Sequence, residues 1–314
     1  MTRAEDAYHG ISVDGLGVLT TGAKGGNNYA GQHTGSEPLD ASAAVCTICL
    51  DSTVPPIQCG CACRNDSGLA HLECLVRKAD FQAVHRGSAA WLTCQTCAHN
   101  FTGAMKSGLA DAWWSRVCDQ PRGSSERLFV MVYVADCRCS EGSRELALQM
   151  NLEAYVEMRD VYGEEHLDTL QCAHHLAQKL SSCGEYKLAE EFERKVHGLR
   201  CKLLGPEHED ALESAEHLAL TLAHAKKLNE AEAILRLVLD TRIERLGVEH
   251  PSTMSCQTRL AGVLSHKGGN REAQQLLLAG LALQRRVLGP EHPVTLLSAN
   301  YLARMRDRWR ISRR

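Results

Sequence analysis

From about residue 126 to the end of the chain, hydrophobic and polar residues follow a helical periodicity, and Ala, Leu, Glu and Arg predominate. The pattern repeats every 42 residues. Its turns read YGEEH at 162–166, LGPEH at 204–208, LGVEH at 246–250 and LGPEH at 288–292. Each turn precedes one helix, and a second helix follows a short break. Because a single helix pair cannot bury its apolar face, we predict a stacked solenoid of about four and a half pairs.

Small and apolar residues recur in the same register. A Leu-Ala pair follows each turn, and in three repeats another alanine follows where two antiparallel helices would approach closely. The pairs are Leu176-Ala177, Leu218-Ala219, Leu260-Ala261 and Leu302-Ala303, and the later alanines are Ala189, Ala231 and Ala273. The histidines that end the turns, His166, His208, His250 and His292, fall on successive turns of the solenoid. We therefore expect them to cap the helices that follow, and not to share a metal ion.

The 42-residue spacing, the LGPEHP turn and the Glu-Ala-Glu start of the second helix resemble tetratricopeptide repeats of the kinesin light chain type. The resemblance covers about residues 126–305. It implies a concave face that binds protein or peptide segments, partly through asparagines on the first helix of each pair. The aligned positions here are His174, Glu216, Thr258 and Asn300, so a groove lined by other polar side chains is expected.

Overall composition indicates a two-domain protein of 314 residues, with a net charge of −3 and no sign of nucleic-acid binding. The longest strongly apolar stretch, 128–135, is shorter than the roughly 20 residues of a membrane-spanning helix. The N-terminus lacks a signal-peptide pattern, so the fifteen cysteines favour a reducing compartment. We expect a soluble, cytoplasmic protein without a membrane partner, and a nuclear location also stays open.

Both ends of the chain differ from the rest. Residues 1–44 are interrupted by glycines and are predicted to be disordered. The segment from Arg304 to Arg314 is rich in arginine. A solvated helix that ends the solenoid is the preferred interpretation of this segment, and a contact with nucleic acid or an acidic partner is the alternative.

Seven of the eight cysteines between residues 46 and 97, together with His71, are closely spaced in sequence. They form four pairs: Cys46-x2-Cys49, Cys61-x-Cys63, His71-x2-Cys74 and Cys94-x2-Cys97. Closed structural zinc sites use four Cys or His ligands, and short turns supply such closely spaced pairs. The pattern therefore predicts eight ligands for two zinc ions. A shifted Cys59-x-Cys61 pair is an alternative to the second pair.

The order of these eight ligands, within about residues 45–99, resembles that of the RING-CH domain. A RING-CH domain is a RING finger whose fourth ligand is Cys and whose fifth is His. The resemblance implies an interleaved pairing, with Cys46, Cys49, His71 and Cys74 on one zinc and Cys61, Cys63, Cys94 and Cys97 on the other. Cys61 and Cys63 are preferred to the shifted pair because they leave seven residues before His71, as in RING-CH domains. Plant homeodomain fingers share the ligand order, but they usually have a shorter gap there and an aromatic residue at the position of Leu92. A chromatin reader of that type is a third possibility.

The RING-CH resemblance implies ubiquitin transfer, in which a docked ubiquitin-conjugating enzyme presents its thioester to a substrate lysine. Ile48 occupies the position of a hydrophobic docking contact, and Trp91 and Leu92 are candidates for the other wall of the docking groove. Packing inside the finger is the alternative for all three residues. The chain departs from the family pattern in three places: Lys78 replaces a common tryptophan, Gln95 a common proline, and Ala98 a cation that many active RING fingers carry.

We therefore predict a mainly α protein, a tetratricopeptide-type helical solenoid with a small N-terminal zinc-bound RING-type α+β domain. The predicted domains are the segment 1–44, the finger with a follow-on helix at 45–120, and the solenoid at 126–314. The predicted function is a RING-CH-type ubiquitin ligase with a conjugating enzyme and a protein substrate as partners. A non-catalytic zinc-binding adaptor is the alternative. No motif for a catalytic nucleophile or a further cofactor is present.

Overall fold

The computed structural model describes residues 44–63 and 68–311, with side chains described as far as residue 305. The predicted disordered segment, apart from Ala44, lies outside these residues, and so do residues 312–314 of the Arg-rich end. The chain forms two compact units that meet in sequence between Gln120 and Pro121. Within the described part of the chain, no helix is both long enough and apolar enough to cross a membrane.

The first unit is small and contains two strands and three helices among its described residues. These are β1 (Ile57–Gln58), β2 (Leu69–Ala70), α1 (Leu72–Arg86), α2 (Ala89–Leu92) and α3 (Gly103–Val117). The strands pair antiparallel, with Ile57 opposite Ala70. Helix α3 is the follow-on helix that the sequence predicts, and its apolar stripe, Met105, Leu109, Trp113 and Val117, is buried. The stripe therefore packs inside the first unit.

The second unit is a solenoid, and its described part contains four helix pairs and a final single helix. The helices are α4 (Ser125–Ser140), α5 (Arg144–Tyr162), α6 (Leu167–Cys183), α7 (Tyr186–Leu204), α8 (Glu209–His224), α9 (Leu228–Leu246), α10 (Pro251–Lys267), α11 (Asn270–Val287) and α12 (Pro293–Ile311). Each helix packs on the next along the chain. The mainly α, tetratricopeptide-type fold predicted from the sequence is confirmed.

The repeated small residues explain how closely these helices approach. Ala177, Ala189, Ala219, Ala231, Ala261 and Ala273 are all completely buried. A leucine of each repeat lies in the same layer, as Leu218 and Leu260 do in the central core. Because alanine adds only one methyl group, the helix backbones approach while the leucines fill the remaining space.

The repeated histidines cap the helices that follow them. The Nδ1 atoms of His166, His208 and His250 accept hydrogen bonds from the backbone N–H groups two residues later, each at 3.2 Å, and His292 does so at 3.3 Å. Each bond satisfies one N–H group that has no partner within its own helix. The capping role predicted from the 42-residue spacing is confirmed.

The break between the two helices of a pair has the same left-handed backbone conformation in all four pairs. Gly142, Gly184 and Gly268 have φ angles of 90°, 89° and 100°, and Lys226 takes the same place in the α8–α9 pair with φ 66°. The left-handed region suits glycine because glycine has no Cβ atom. Lys226 therefore introduces backbone strain at one of these four breaks.

Candidate metal centres and docking cavity

The first Cys/His cluster joins a turn near the start of the described chain to the beginning of α1. One ligand atom from each of Cys46, Cys49, His71 and Cys74 lies within 4.8 Å of the other three. The Nδ1 atom of His71 is 3.3 Å from the sulfur of Cys49 and 3.8 Å from that of Cys74. Tetrahedral zinc with ordinary bond lengths places sulfur and nitrogen ligands about 3.5 Å apart. The donor set and its spacing therefore fit such an ion.

The second cluster joins the loop after β1 to the turn after α2. It contains Cys61, Cys63, Cys94 and Cys97, again with all ligand atoms within 4.8 Å of one another. The sulfurs of Cys63 and Cys94 are 3.7 Å apart. This is close to the roughly 3.8 Å between two thiolates on one tetrahedral zinc. Four sulfur donors would fill a closed site and leave no coordination position for a substrate.

The two turns that carry Cys-x2-Cys pairs share one backbone shape. The N–H groups of Leu50 and Ala98 donate to the carbonyl oxygens of Cys46 and Cys94, each at 2.9 Å. Leu50 and Ala98 have φ angles of 60° and 58°, which are uncommon for residues other than glycine. This conformation brings both sulfurs of a pair to the same side of the turn.

A backbone carbonyl orients the imidazole of His71. Its Nε2 atom lies 2.6 Å from the carbonyl oxygen of Val54. A carbonyl can only accept a hydrogen bond, so Nε2 carries the proton and the lone pair of Nδ1 faces the thiols. Histidine ligands of metals commonly donate their other N–H group in this way. His71 is thus held in the tautomer that a metal requires.

The pKa values of the clustered thiols shift in both directions. Burial raises the pKa of Cys74 to about 12. Burial by itself raises the pKa of Cys46, but the backbone N–H groups of Cys49, His71 and Ile48 lower it to about 6. The backbone N–H of His99 lowers the pKa of Cys97, also to about 6. Thiolates are the form that binds metals.

Burial also raises the pKa of Cys59, to about 11. Cys59 belongs to neither cluster among the described residues. The second cluster thus combines Cys94 and Cys97 with Cys61 and Cys63, and not with the shifted Cys59-x-Cys61 pair.

A shallow cavity of about 60 Å³ lies beside Ile48, between the first turn, α1 and the fourth ligand pair. Ile48 is 38% exposed and lines it together with Lys78, Gln82 and Gln95. The amide of Gln82 donates to the side-chain oxygen of Gln95 at 2.5 Å, and Arg86 donates to Gln82 at 2.8 Å. The rim opposite Ile48 is therefore polar.

Of the three predicted docking residues, Ile48 lines this cavity and the other two do not. Trp91 is only 4% exposed and stacks on Trp113, so it does not line the cavity. Leu92 is half-buried and does not line it either. Lys78 and Gln82, two of the α1 residues that line it, are four apart. This helical spacing after Cys74 was the available sequence signal for Gln82.

Comparison with known proteins identifies the solenoid. The tetratricopeptide repeat family model matches residues 169–210, 211–252 and 253–294. Two crystal structures of TPR-like repeats from a Podosopora anserina protein named for the kinesin light chain are each 22% identical to this chain, with TM-scores of 0.52 and 0.51. They cover 68% and 69% of this chain and 95% and 97% of their own length.

The crystal structure of BtubC (BKLC) from P. vanneervenii is also similar. Its identity to this chain is 15% and its TM-score is 0.50, and the match covers 71% of this chain and 91% of that one. A comparison with curated proteins found no match. Residues 169–294 thus match tetratricopeptide repeats, and the solenoid shares its fold with these TPR-like structures. The family match does not extend to the cysteine clusters, so their role depends on their own geometry.

Proposed function

We propose that this chain is a zinc-binding ubiquitin ligase of the RING-CH type whose solenoid binds the protein substrate. The interleaving of the two clusters carries the proposal, because the first ligand pair meets the third and the second meets the fourth. This crossed arrangement is what the RING-CH resemblance implies. Sulfur and imidazole ligands favour Zn²⁺ over cations such as Mg²⁺ that prefer oxygen.

Zinc would have a structural role in this proposal. Four protein ligands close each site, so the ions would hold the turns in place and take no part in chemistry. The first unit has two strands of two residues each and a small core. A unit of this size commonly depends on metal binding for much of its folding free energy.

Ubiquitin transfer by this chain would depend on orientation. The conjugating enzyme would dock at the cavity beside Ile48, where the isoleucine supplies an exposed apolar contact. The bound enzyme would then hold its ubiquitin thioester near a lysine of the substrate on the solenoid. Restricting both reactants in this way raises the rate without a nucleophile from the ligase.

The solenoid supplies the protein-binding scaffold. Stacked repeats present an extended surface on which a partner segment contacts several repeats at once. Of the four positions aligned with the peptide-binding asparagines, His174, Glu216 and Thr258 are buried. The fourth, Asn300, is exposed. Substrate selection would therefore depend on polar side chains nearer the surface of these first helices.

Discharge of ubiquitin from a panel of charged conjugating enzymes tests the proposal. The zinc-loaded chain should accelerate discharge to lysine with at least one enzyme, and Ile48→Ala should abolish the acceleration while two zincs per chain remain bound. Leu50→Ala is the matched control, since Leu50 lies in the same turn, is 78% exposed and does not line the cavity. No acceleration by the wild type across a broad panel would contradict the ligase proposal.

A non-catalytic zinc-binding adaptor is the second candidate. Lys78 and the hydrogen-bonded Gln82 and Gln95 make the cavity more polar than an apolar docking groove. Ala98 also lacks the cation that many active RING fingers use to hold ubiquitin. An adaptor would bind partners through both units yet leave the discharge rate unchanged, and the same assay therefore separates the two functions.

A further inference from the structure

Two histidines and a glutamate from three successive helices meet inside the solenoid. His174 lies on α6, Glu193 on α7 and His217 on α8, and one ligand atom of each lies within 4.8 Å of the other two. The Nδ1 atom of His174 is 3.1 Å from Oε2 of Glu193. The rings of His174 and His217 are nearly perpendicular, with centroids 4.6 Å apart. This group is called the His-Glu-His cluster below.

The carboxylate of this cluster is buried without a full complement of partners. Glu193 is 1% exposed, and its Oε1 atom has no hydrogen-bond partner. In the described residues, His174 is the one group that forms an ion pair with Glu193. Burial raises the pKa of Glu193 even though His174 and Arg200 lie near enough to lower it. A buried carboxylate is costly unless a cation or several donors compensate it.

The two following repeats show that a glutamate is not needed here for packing, although the preceding repeat also has a buried polar residue, Asn151. One and two repeats further on, the position of Glu193 is occupied by Leu235 and Leu277, which are both buried. Another buried carboxylate, Glu216, has Arg242 at 2.5 Å and Arg259 at 2.8 Å. The solenoid thus neutralises Glu216 with arginines, whereas Glu193 faces two imidazoles.

We propose that His174, Glu193 and His217 form a binding site for a divalent transition-metal ion such as Zn²⁺. Two imidazoles and one carboxylate are a ligand set that binds zinc and similar ions with coordination positions left open. The ion would supply the positive charge that Glu193 lacks. It would also link both helices of one repeat to the first helix of the next.

The route to the site is through Gln178 and His217, which are both half-buried. The Nε2 atom of Gln178 lies 2.8 Å from Nε2 of His174 and 3.5 Å from Nδ1 of His217. Its amide thus occupies a point on which both rings converge. Glu193 lies on the Nδ1 side of His174, so the ion would bind there and leave the Gln178 amide at Nε2. Ligands of one zinc lie about 3.3 Å apart, so the three side chains would draw together around the ion.

Metal content of the full-length chain provides the test. Protein saturated with zinc at both cysteine clusters would be dialysed to equilibrium against buffered free zinc, and bound zinc would be counted by elemental analysis. We expect three zincs per chain for the wild type and two for Glu193→Leu, whose leucine matches the two following repeats. His217→Ala should also retain two. Glu190→Gln, on the same helix but paired with Lys227 and Arg194 in the wild type, is the control and should bind three.

Thermal unfolding supplies a second readout that does not depend on the cysteine clusters. Free zinc should raise the melting temperature of the wild-type solenoid and leave that of Glu193→Leu unchanged, and Mg²⁺ should affect neither. Two zincs per chain in the wild type, or a third zinc that persists in Glu193→Leu and His217→Ala, would overturn the proposal. The outcome is independent of the ligase proposal, since no conjugating enzyme takes part.

Discussion

The indole rings of Trp91 and Trp113 stack with their centroids 5.8 Å apart and their planes 8° apart. Trp91 belongs to α2, which leads directly into the turn of Cys94 and Cys97, and Trp113 belongs to α3. The guanidinium carbon of Arg116 lies 5.1 Å from the centre of the Trp91 ring. This aromatic contact therefore connects the core of the first unit to one of its ligand turns.

Metal removal should disrupt this contact while the solenoid remains folded. Three of the four tryptophans, Trp91, Trp113 and Trp114, lie in the first unit. Structural zinc contributes roughly 10 to 16 kcal/mol to the folding of small finger domains. A strong chelator should shift tryptophan emission to longer wavelength, and most of the far-ultraviolet circular dichroism should persist because the solenoid helices do not use the clusters.

Readdition of one zinc at a time is the control for this experiment. Emission should return fully only with two zincs per chain, because each cluster fixes different turns. Unchanged emission from protein that elemental analysis shows to be free of metal would contradict a structural role for the clusters.

Much of the solenoid was predictable because its information is local and repeated. The 42-residue period fixes where helices begin and end, and the buried alanines mark which faces meet. The pairing of Cys46 with Cys49, or of Cys94 with Cys97, is also local. Which pairs share a cluster depends on how the chain crosses itself, and only the family resemblance predicted that arrangement.

Contacts between distant segments were not predictable in the same way. Trp91 was a candidate for the docking groove, but its environment depends on where α3 lies, and nothing near Trp91 in sequence specifies this. The His-Glu-His cluster unites residues 19 and 24 positions apart on three helices. Aligning the repeats would have provided a signal, since Glu193 replaces the leucine found at Leu235 and Leu277.

A cation at position 98 should strengthen ligase activity. Ala98 directly follows the eighth ligand and is exposed, so a longer side chain there reaches solvent. If the chain is a ligase, Ala98→Arg should increase the rate of ubiquitin discharge several-fold by holding the ubiquitin of the charged enzyme. Ala98→Gln is the matched neutral control and should leave the rate near that of the wild type. Equal rates for both variants would favour the adaptor.

Lys226 should be a site where glycine stabilises the solenoid. It has φ 66° between α8 and α9, where the pairs on either side have glycine. A left-handed conformation costs a residue with a Cβ atom roughly 1 to 2 kcal/mol, and the greater freedom of glycine in the unfolded chain offsets about 0.5 to 1 kcal/mol. We expect Lys226→Gly to raise the free energy of unfolding by about 0.5 to 1 kcal/mol in urea titrations.

Lys226→Ala separates backbone strain from loss of the lysine side chain. Alanine keeps the Cβ atom, so its free energy of unfolding should stay within about 0.5 kcal/mol of the wild type. An equal gain from both variants would show that the side chain, and not the backbone, was unfavourable.

The burial of Arg242 makes it far more important for stability than its neighbour Arg245 on the same helix. Arg242 is 2% exposed and donates to Glu216 at 2.5 Å and to Glu209 at 2.8 Å. Removing one partner of a buried ion pair leaves the other charge uncompensated and typically costs 3 to 5 kcal/mol. Arg259 still pairs with Glu216, so we expect Arg242→Met to lower the free energy of unfolding of the solenoid by about 3 kcal/mol.

Arg245→Met is the matched control for this prediction. Arg245 donates to Glu207 at 2.9 Å, but both side chains are more than half exposed. Exposed ion pairs contribute about 0 to 1 kcal/mol because water already solvates both charges. Chemical denaturation of the two variants should therefore give losses that differ by at least about 2 kcal/mol. Similar losses would mean that solvent reaches Arg242 and that the packing between α8 and α9 is looser than its burial indicates.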